Sequence, residues 1–149
     1  MEETQFLTKK YKAKRQGMIH FLLAGLILIP IILFQVHTDL IQRTPWILLP
    51  FLAPIAFILW FYLDTSYQIK GEVLGYRSGF INGKIPVSEI REIQGGKTLW
   101  AGIKPALSTG GMIIRYGKYD EIYLAPESNS ELIEDLLKIN PKITVSRFN

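Results

Sequence analysis

The residue types that could carry chemistry are few in this chain, and their spacing keeps most of them apart. There is no cysteine, so a disulfide, a thiolate-held zinc ion and a thiol nucleophile are all excluded. The only histidines, His20 and His37, bracket one uncharged apolar run and cannot meet without breaking it. Without a third nitrogen or sulfur ligand they make no zinc centre. Glu89/Glu92 and Glu131/Glu134 are carboxylate pairs, but on a surface turn and at a helix start such pairs are solvated or capping. Gly95-Gly96-Lys97-Thr98 ends like a phosphate loop, yet it lacks the G-x-x-x-x-G-K-[ST] spacing and a helix behind it. Ser108 has no histidine partner in the same part of the chain, which removes Ser–His nucleophilic catalysis. These absences predict a protein that is not an enzyme: no catalytic residues, no metal, no cofactor and no small-molecule substrate.

One stretch keeps a binding character. Residues 95–111 are glycine-rich, follow no period and exceed ordinary loop lengths. Within them Trp100 stands between Lys97 and Lys104, an aromatic with basic neighbours that suits a headgroup layer or a partner protein. The competing reading is that Trp100 folds back onto the domain as core, since large aromatics bury most of their area.

The elements that must position this loop divide the chain in three. Residues 1–16 form a polar lead whose Lys9, Lys10, Lys12, Lys14 and Arg15 outweigh Glu2 and Glu3. Two apolar runs follow, about 17–36 and 46–63, with no Asp, Glu, Lys or Arg from Gln16 to Thr38 or from Thr44 to Leu63. Each approaches the ~20 residues that a helix needs to cross a ~30 Å hydrocarbon core. The link between them is short, so the pair is expected as an antiparallel transmembrane hairpin over 17–63. A signal peptide is the other reading of a basic start before an apolar run. The length of the run, its lack of a small-residue cleavage site and the second span oppose it. Trp46 at one edge and Trp60 and Tyr62 at the other fit interfacial belts. The basic cluster before the first span sets the topology, with both termini cytoplasmic in a two-span cell-membrane protein.

Residues 64–149 carry eleven Lys/Arg against ten Asp/Glu, a near-neutral balance that argues against nucleic acid. Period-two patterning over Tyr67–Lys70 and Val73–Tyr76 predicts two strands. Asn82-Gly83 predicts a hairpin turn between Gly79–Ile81 and Lys84–Val87. Ile90 and Ile93 continue as a strand, and Met112–Tyr116 and Glu121–Leu124 form another hairpin. Ser128 and Glu131 make a capping box for a helix whose Leu132, Ile133, Leu136 and Leu137 share one face, ending at Asn140-Pro141. The tail adds a short extended piece through Ile143 and Val145. About six strands followed by one helix is an α+β layout.

That order, together with Ser66-Tyr-Gln-Ile69, Gly79 to Ile93, Pro105-Ala-Leu-Ser108, Ile114-Arg-Tyr-Gly-Lys118, Tyr123-Leu-Ala-Pro126 and Leu136-Leu-Lys-Ile-Asn-Pro141, resembles the bacterial PH-like family of small Gram-positive membrane proteins. The resemblance covers roughly residues 65–143, and its most specific parts are the Lys-Ile-Pro strand and the Asn-Pro after the helix. It implies a PH-like antiparallel β-barrel or sandwich capped by a C-terminal helix. Within the family, the size and the N-terminal anchoring resemble Bacillus immunity proteins that protect producers of glycosylated bacteriocins such as sublancin. The resemblance therefore implies bacteriocin immunity by non-catalytic binding, with the lipid bilayer and the bacteriocin's membrane target as partners. The alternative is a general lipid- or protein-binding membrane scaffold. Ser108-Thr-Gly-Gly-Met112 is more glycine-rich than the family pattern at the entry to its strand.

Overall fold

The computed structural model describes residues 8–97 and 103–147. The chain begins with strand β1 (Thr8–Lys12), which contributes to the sheet beside β2 (Ser66–Lys70), β3 (Val73–Ser78) and β4 (Ile81–Pro86). The order of this first sheet is β1-β2-β3-β4, antiparallel throughout. A second sheet has the order β7-β6-β5-β8, from β5 (Ile90–Gly95), β6 (Met112–Tyr116), β7 (Asp120–Leu124) and β8 (Thr144–Arg147). Its last strand, β8, lies parallel to β5. The two sheets and one C-terminal helix give the α+β, PH-like architecture.

Side chains alternate along the strands because successive Cβ atoms point to opposite faces. In β2 this places Tyr67 and Ile69 inside and Ser66, Gln68 and Lys70 outside. The inward positions of both sheets, among them Leu74, Ile85, Ile93, Ile114, Ile122 and Leu124, form one core. Helix α4 (Asn129–Ile139) closes it with Leu132, Ile133 and Leu136, all buried. Burying an aliphatic side chain of this size is worth about 1.5–3 kcal/mol relative to leaving it in water. The capping box is half made. Ser128 Oγ accepts the Glu131 N–H at 3.3 Å, but the Glu131 carboxylate turns away to Lys9 at 2.8 Å.

Two expectations are corrected here. The polar lead does not stop short of the domain: Tyr11 and Ala13 are buried in the core, and Tyr11 pairs with Tyr67 across β1–β2. The domain is thus built from both sides of the apolar helices rather than from residues 64–149 alone. The second correction concerns the β3–β4 turn. Ser78 pairs with Ile81, so the loop is Gly79-Phe80, and Asn82-Gly83 lies inside β4 opposite Arg77 and Tyr76. Gly79 takes φ 58°, the left-handed value that a two-residue turn with glycine first requires. Gly83 is needed for another reason. A Cβ there would meet Tyr76 Oη at 2.3 Å, so the tyrosine ring lies across a gap that only glycine leaves.

Between β1 and β2 the chain forms α1 (Met18–Val36), a short α2 (Thr38–Arg43), a 3-10 turn (Pro45–Leu48) and α3 (Leu49–Asp64). The link expected as a turn is therefore helical, and Ile41 within it is buried. Helices α1 and α3 pack on each other. The windows Ile19–Val36 and Pro45–Asp64 are long and apolar enough to cross a membrane, and none of either window is buried. The β3–β4 turn rests on the end of α3. Phe80 packs edge-on against Phe61 at 5.1 Å between ring centroids, and a Cβ on Gly79 would meet Phe61 at 2.7 Å.

Candidate functional site

The basic cluster of the N-terminal segment is divided by strand geometry. Lys9 points with the inward set of β1 but lies at the rim, where it pairs with Glu131 and Asp135 of α4. Tyr11 donates its hydroxyl to the same Asp135 at 2.7 Å. Hydrogen bonds from Lys138, Lys9 and Tyr11 hold the Asp135 carboxyl below the usual carboxylate range. The Lys14 N–H donates to the Ala125 carbonyl at 2.7 Å, tying the segment to β7. Arg15 lies over the Tyr62 ring, 4.9 Å from its centroid, where the chain enters the apolar helices. His20 Nε2 lies 3.4 Å from Tyr62 Oη at the same end.

Lys10 and Lys12 face outward, and the register shows what stands beside them. Lys10 aligns with Gln68, Gly75 and Lys84, and Lys12 aligns with Ser66, Arg77 and Asn82. One row further from the apolar helices, Lys70 aligns with Val73 and Pro86. The outer face of the first sheet thus gathers Lys10, Lys12, Lys70, Arg77 and Lys84. Its middle is low, because Gln68 and Gly75 separate two lysine rims, and a groove of about 530 Å³ runs there without a carboxylate in its lining. Arg77 Nε donates to Asp64 at 2.8 Å, and the ion pairs among the described residues give the four lysines no acidic partner. Glu72 stands at the distal end, beside Lys70. Three members of this face, Lys70, Arg77 and Lys84, carry no signal of it in the sequence pattern. Their convergence depends on register, and a turn at Asn82-Gly83 would have aligned Lys84 with Ile81 instead.

Residues 103–111, the described second half of the glycine-rich loop, lie against the second sheet rather than toward this face. Ile103 bridges Ile122, Pro105 is buried, and Ala106 packs against Ile113, Tyr123 and Ala125 on the sheet's outer side. Tyr67 donates to the Pro105 carbonyl at 2.7 Å; Tyr123 donates to the Ser108 carbonyl at 3.0 Å and accepts the Gly111 N–H at 2.8 Å. Asn129 donates to the carbonyls of Gly110 and Gly111. The extra glycine has a steric cause: a Cβ on Gly111 would lie 2.1 Å from the Leu124 carbonyl. Of the three expected loop residues, Lys97 is exposed just beyond β5, Lys104 is half-buried, and Trp100 lies outside the described residues.

One member of each carboxylate pair is engaged in structure. Glu92 accepts from Gln94 and Arg115, which hold its carboxyl below the ordinary range, and Glu131 takes Lys9. Among the described residues no group of His, Asp and Glu is placed to hold a metal ion.

The chain is 28% identical over 89 residues to the uncharacterized protein YyaB of Bacillus subtilis (strain 168), a match of 59% of this chain and 61% of that protein. It therefore spans about three fifths of the length of this curated relative. No solved structure matches. The model of the Bacterial PH domain matches residues 65–140, from β2 through α4, which leaves out β1 and the apolar helices and still covers just over half of the sequence. With the fold, the strand order and that match in agreement, the chain belongs to the bacterial PH domain family.

Proposed function

We propose that this protein is a membrane-anchored, non-catalytic binding module whose PH-like domain works at the cytoplasmic face of the cell membrane. The observation that carries the reading is the pairing of β1 with β2 across the two apolar helices. Strands that precede and follow a helical hairpin can pair only if both ends of the hairpin lie on one side. The domain is then held by two covalent connections, and its orientation against the bilayer is restricted. Five Lys/Arg before the first apolar helix against Arg43 alone in the link support the cytoplasmic side. PH-like domains serve generally as binding modules, which supports a non-catalytic role.

The finer reading is immunity: the module binds the membrane target of a glycosylated bacteriocin, or the lipid around it, and changes whether the target is engaged. Its support is the resemblance in size and N-terminal anchoring to sublancin-type immunity proteins. Anchoring would keep the domain at high local concentration beside such a target. Expression in a sensitive Gram-positive strain is expected to raise resistance to one bacteriocin and leave unrelated pore-formers unaffected. Full sensitivity across a panel that includes glycosylated bacteriocins, in cells carrying the membrane-located protein, would discard immunity and leave the general module. The anchoring itself is tested by reporter fusions: Asn149 reporting inside and residue 41 reporting outside are expected, and Asn149 outside would refute it.

A further inference from the structure

We infer that the outer face of the first sheet is a binding site for the headgroup of an anionic glycerophospholipid, an inference that rests on the membrane-anchored reading above. The face has the required chemistry. Lys10 and Lys84 form the two rims of the groove, and Arg77, Ser66, Gln68 and Asn82 add hydrogen-bond donors across its floor and near end. Rims three strand spacings apart stand roughly 14 Å from each other at the backbone, and two lysine side chains converge across that gap on an object the size of a phosphoglycerol group. Gly75, between them, keeps the floor low; a side chain there would press on Gln68, whose Cγ lies 3.2 Å from the Cβ position.

Charge selects the ligand. Lys10, Lys12 and Lys84 make no ion pair among the described residues. Asp64 is engaged by Arg77, Glu72 stands at the distal end, and Glu127 and Glu131 flank Lys10 and Lys12 at the β1 edge, where Glu131 is engaged by Lys9. A surplus of positive charge around a groove whose own lining holds no carboxylate raises the local density of anions, and the groove gives it a shape.

Position selects the source. Lys12 lies six residues before Met18, and Ser66 lies two residues after Asp64. The proximal row of the face, Lys12, Ser66, Arg77 and Asn82, is therefore attached directly to the ends of the helices. Arg15 and Tyr62 mark the level at which those helices leave the bilayer, the depth favoured by long cationic and phenolic side chains. The next row, with Lys10 and Lys84, lies only ~7 Å further along the strands, within about one Debye length at physiological salt. Headgroups of the protein's own membrane are thus the anions in continuous reach.

The test uses the full-length protein in uncharged detergent, titrated with short-chain phosphatidylglycerol or phosphatidylcholine and read by native mass spectrometry. The wild type is expected to retain phosphatidylglycerol in preference to phosphatidylcholine. Lys10→Gln/Lys84→Gln should lower that preference by roughly fivefold per lysine, and Lys84→Gln alone by about one such step. Lys118→Gln/Lys142→Gln, away from the face, should leave it unchanged. Equal retention of both lipids by the wild type, or undiminished preference in both variants, would overturn the inference. Displacement of the lipid by inorganic phosphate would assign the groove to a free anion and overturn the lipid as occupant. Incorporation into phosphatidylcholine nanodiscs is scored separately: failure there overturns the anchoring and this inference together, whereas incorporation without a headgroup preference overturns this inference alone.

Discussion

The two sheets share one core and one closing helix, yet their outer faces are finished in opposite ways. On the second sheet, Glu92 and Arg115 pair at 2.9 Å, Arg115 reaches Glu121 at 3.6 Å, and the remaining apolar positions, Ile113 and Tyr123, lie under the loop that carries Ala106. The charges of that face are paired, and its apolar positions are covered by its own chain. On the first sheet the cations stand in rows, and the groove between them is lined without a carboxylate. Inside, the faces follow the same rule of apolar alternation; outside, one pairs its charges and the other leaves its lysines out of ion pairs among the described residues. The difference separates what folding needs from what it does not, because nothing in the shared core requires lysines at the outward positions of β1, β2 and β4.

The largest expected effect is on what the sheets have in common. Leu136 is fully buried where α4 meets both, so Leu136→Ala should cost ~2–5 kcal/mol, read as a lowered melting temperature of the full-length protein in detergent. An unchanged melt would mean that α4 is a loose appendage and that the sheets do not share a core.

Next comes the contact by which the β3–β4 turn of the first sheet meets α3. Gly79 has φ 58° and sits 2.7 Å, at its Cβ position, from the Phe61 ring. Gly79→Ala adds backbone strain of ~1–2 kcal/mol to that steric contact, and the melt should fall by at least as much. Gly83→Ala should also destabilise, because a Cβ there would run into the Tyr76 ring.

What was legible in the sequence is what hydrophobic pattern alone determines. The apolar helices, β2, β3, β6, β7 and α4 each announce themselves by an uncharged run, an alternation or a one-sided stripe. Strand β1 did not, because three of its five residues are lysine and only Tyr11 marks its inner face. Asn82-Gly83 misled because a local turn preference lost to a tertiary contact, the Tyr76 ring lying across Gly83. The site suffered most from this. Lys10 and Lys12 stand out in the sequence by their number near the first apolar run, but their neighbours Arg77 and Lys84 are brought to them only by pairing across four strands. The loop around Trp100 attracted attention by composition, and its second half proved to be held by Tyr67, Tyr123 and Asn129, side chains distant in sequence.

A smaller effect is expected where β1 is clasped to α4. Asp135 accepts from Lys138, Lys9 and Tyr11, and its carboxyl is held below its ordinary value of 3.8. A carboxylate depressed on folding stabilises the native state above its unfolded value, and that contribution is lost as pH falls through the folded one. Asp135→Asn should therefore be less stable than wild type at neutral pH and lose stability less steeply as the pH drops below 3.8. Parallel acid limbs would show that the clasp contributes nothing to holding β1.

The smallest effect is the one that bears most directly on the contrast between the outer faces. Glu92→Gln breaks an ion pair whose side chains are 28% and 42% exposed, so its loss should register, but weakly, at ~0.2–1 kcal/mol. Lys84→Gln removes a cation that makes no ion pair among the described residues and stands in a row with Lys10. Like charges gathered on one face repel, so the substitution should leave stability within about 0.5 kcal/mol of wild type or raise it slightly. Measured side by side in uncharged detergent, the two variants should differ in sign or in size although each removes one charge from an exposed strand position. A loss on Lys84→Gln as large as that on Glu92→Gln would give the lysine a structural role and erase the distinction. Neutrality there, beside a measurable cost on the second sheet, would leave Lys84 a charge that folding does not use and that is available to a ligand outside the chain.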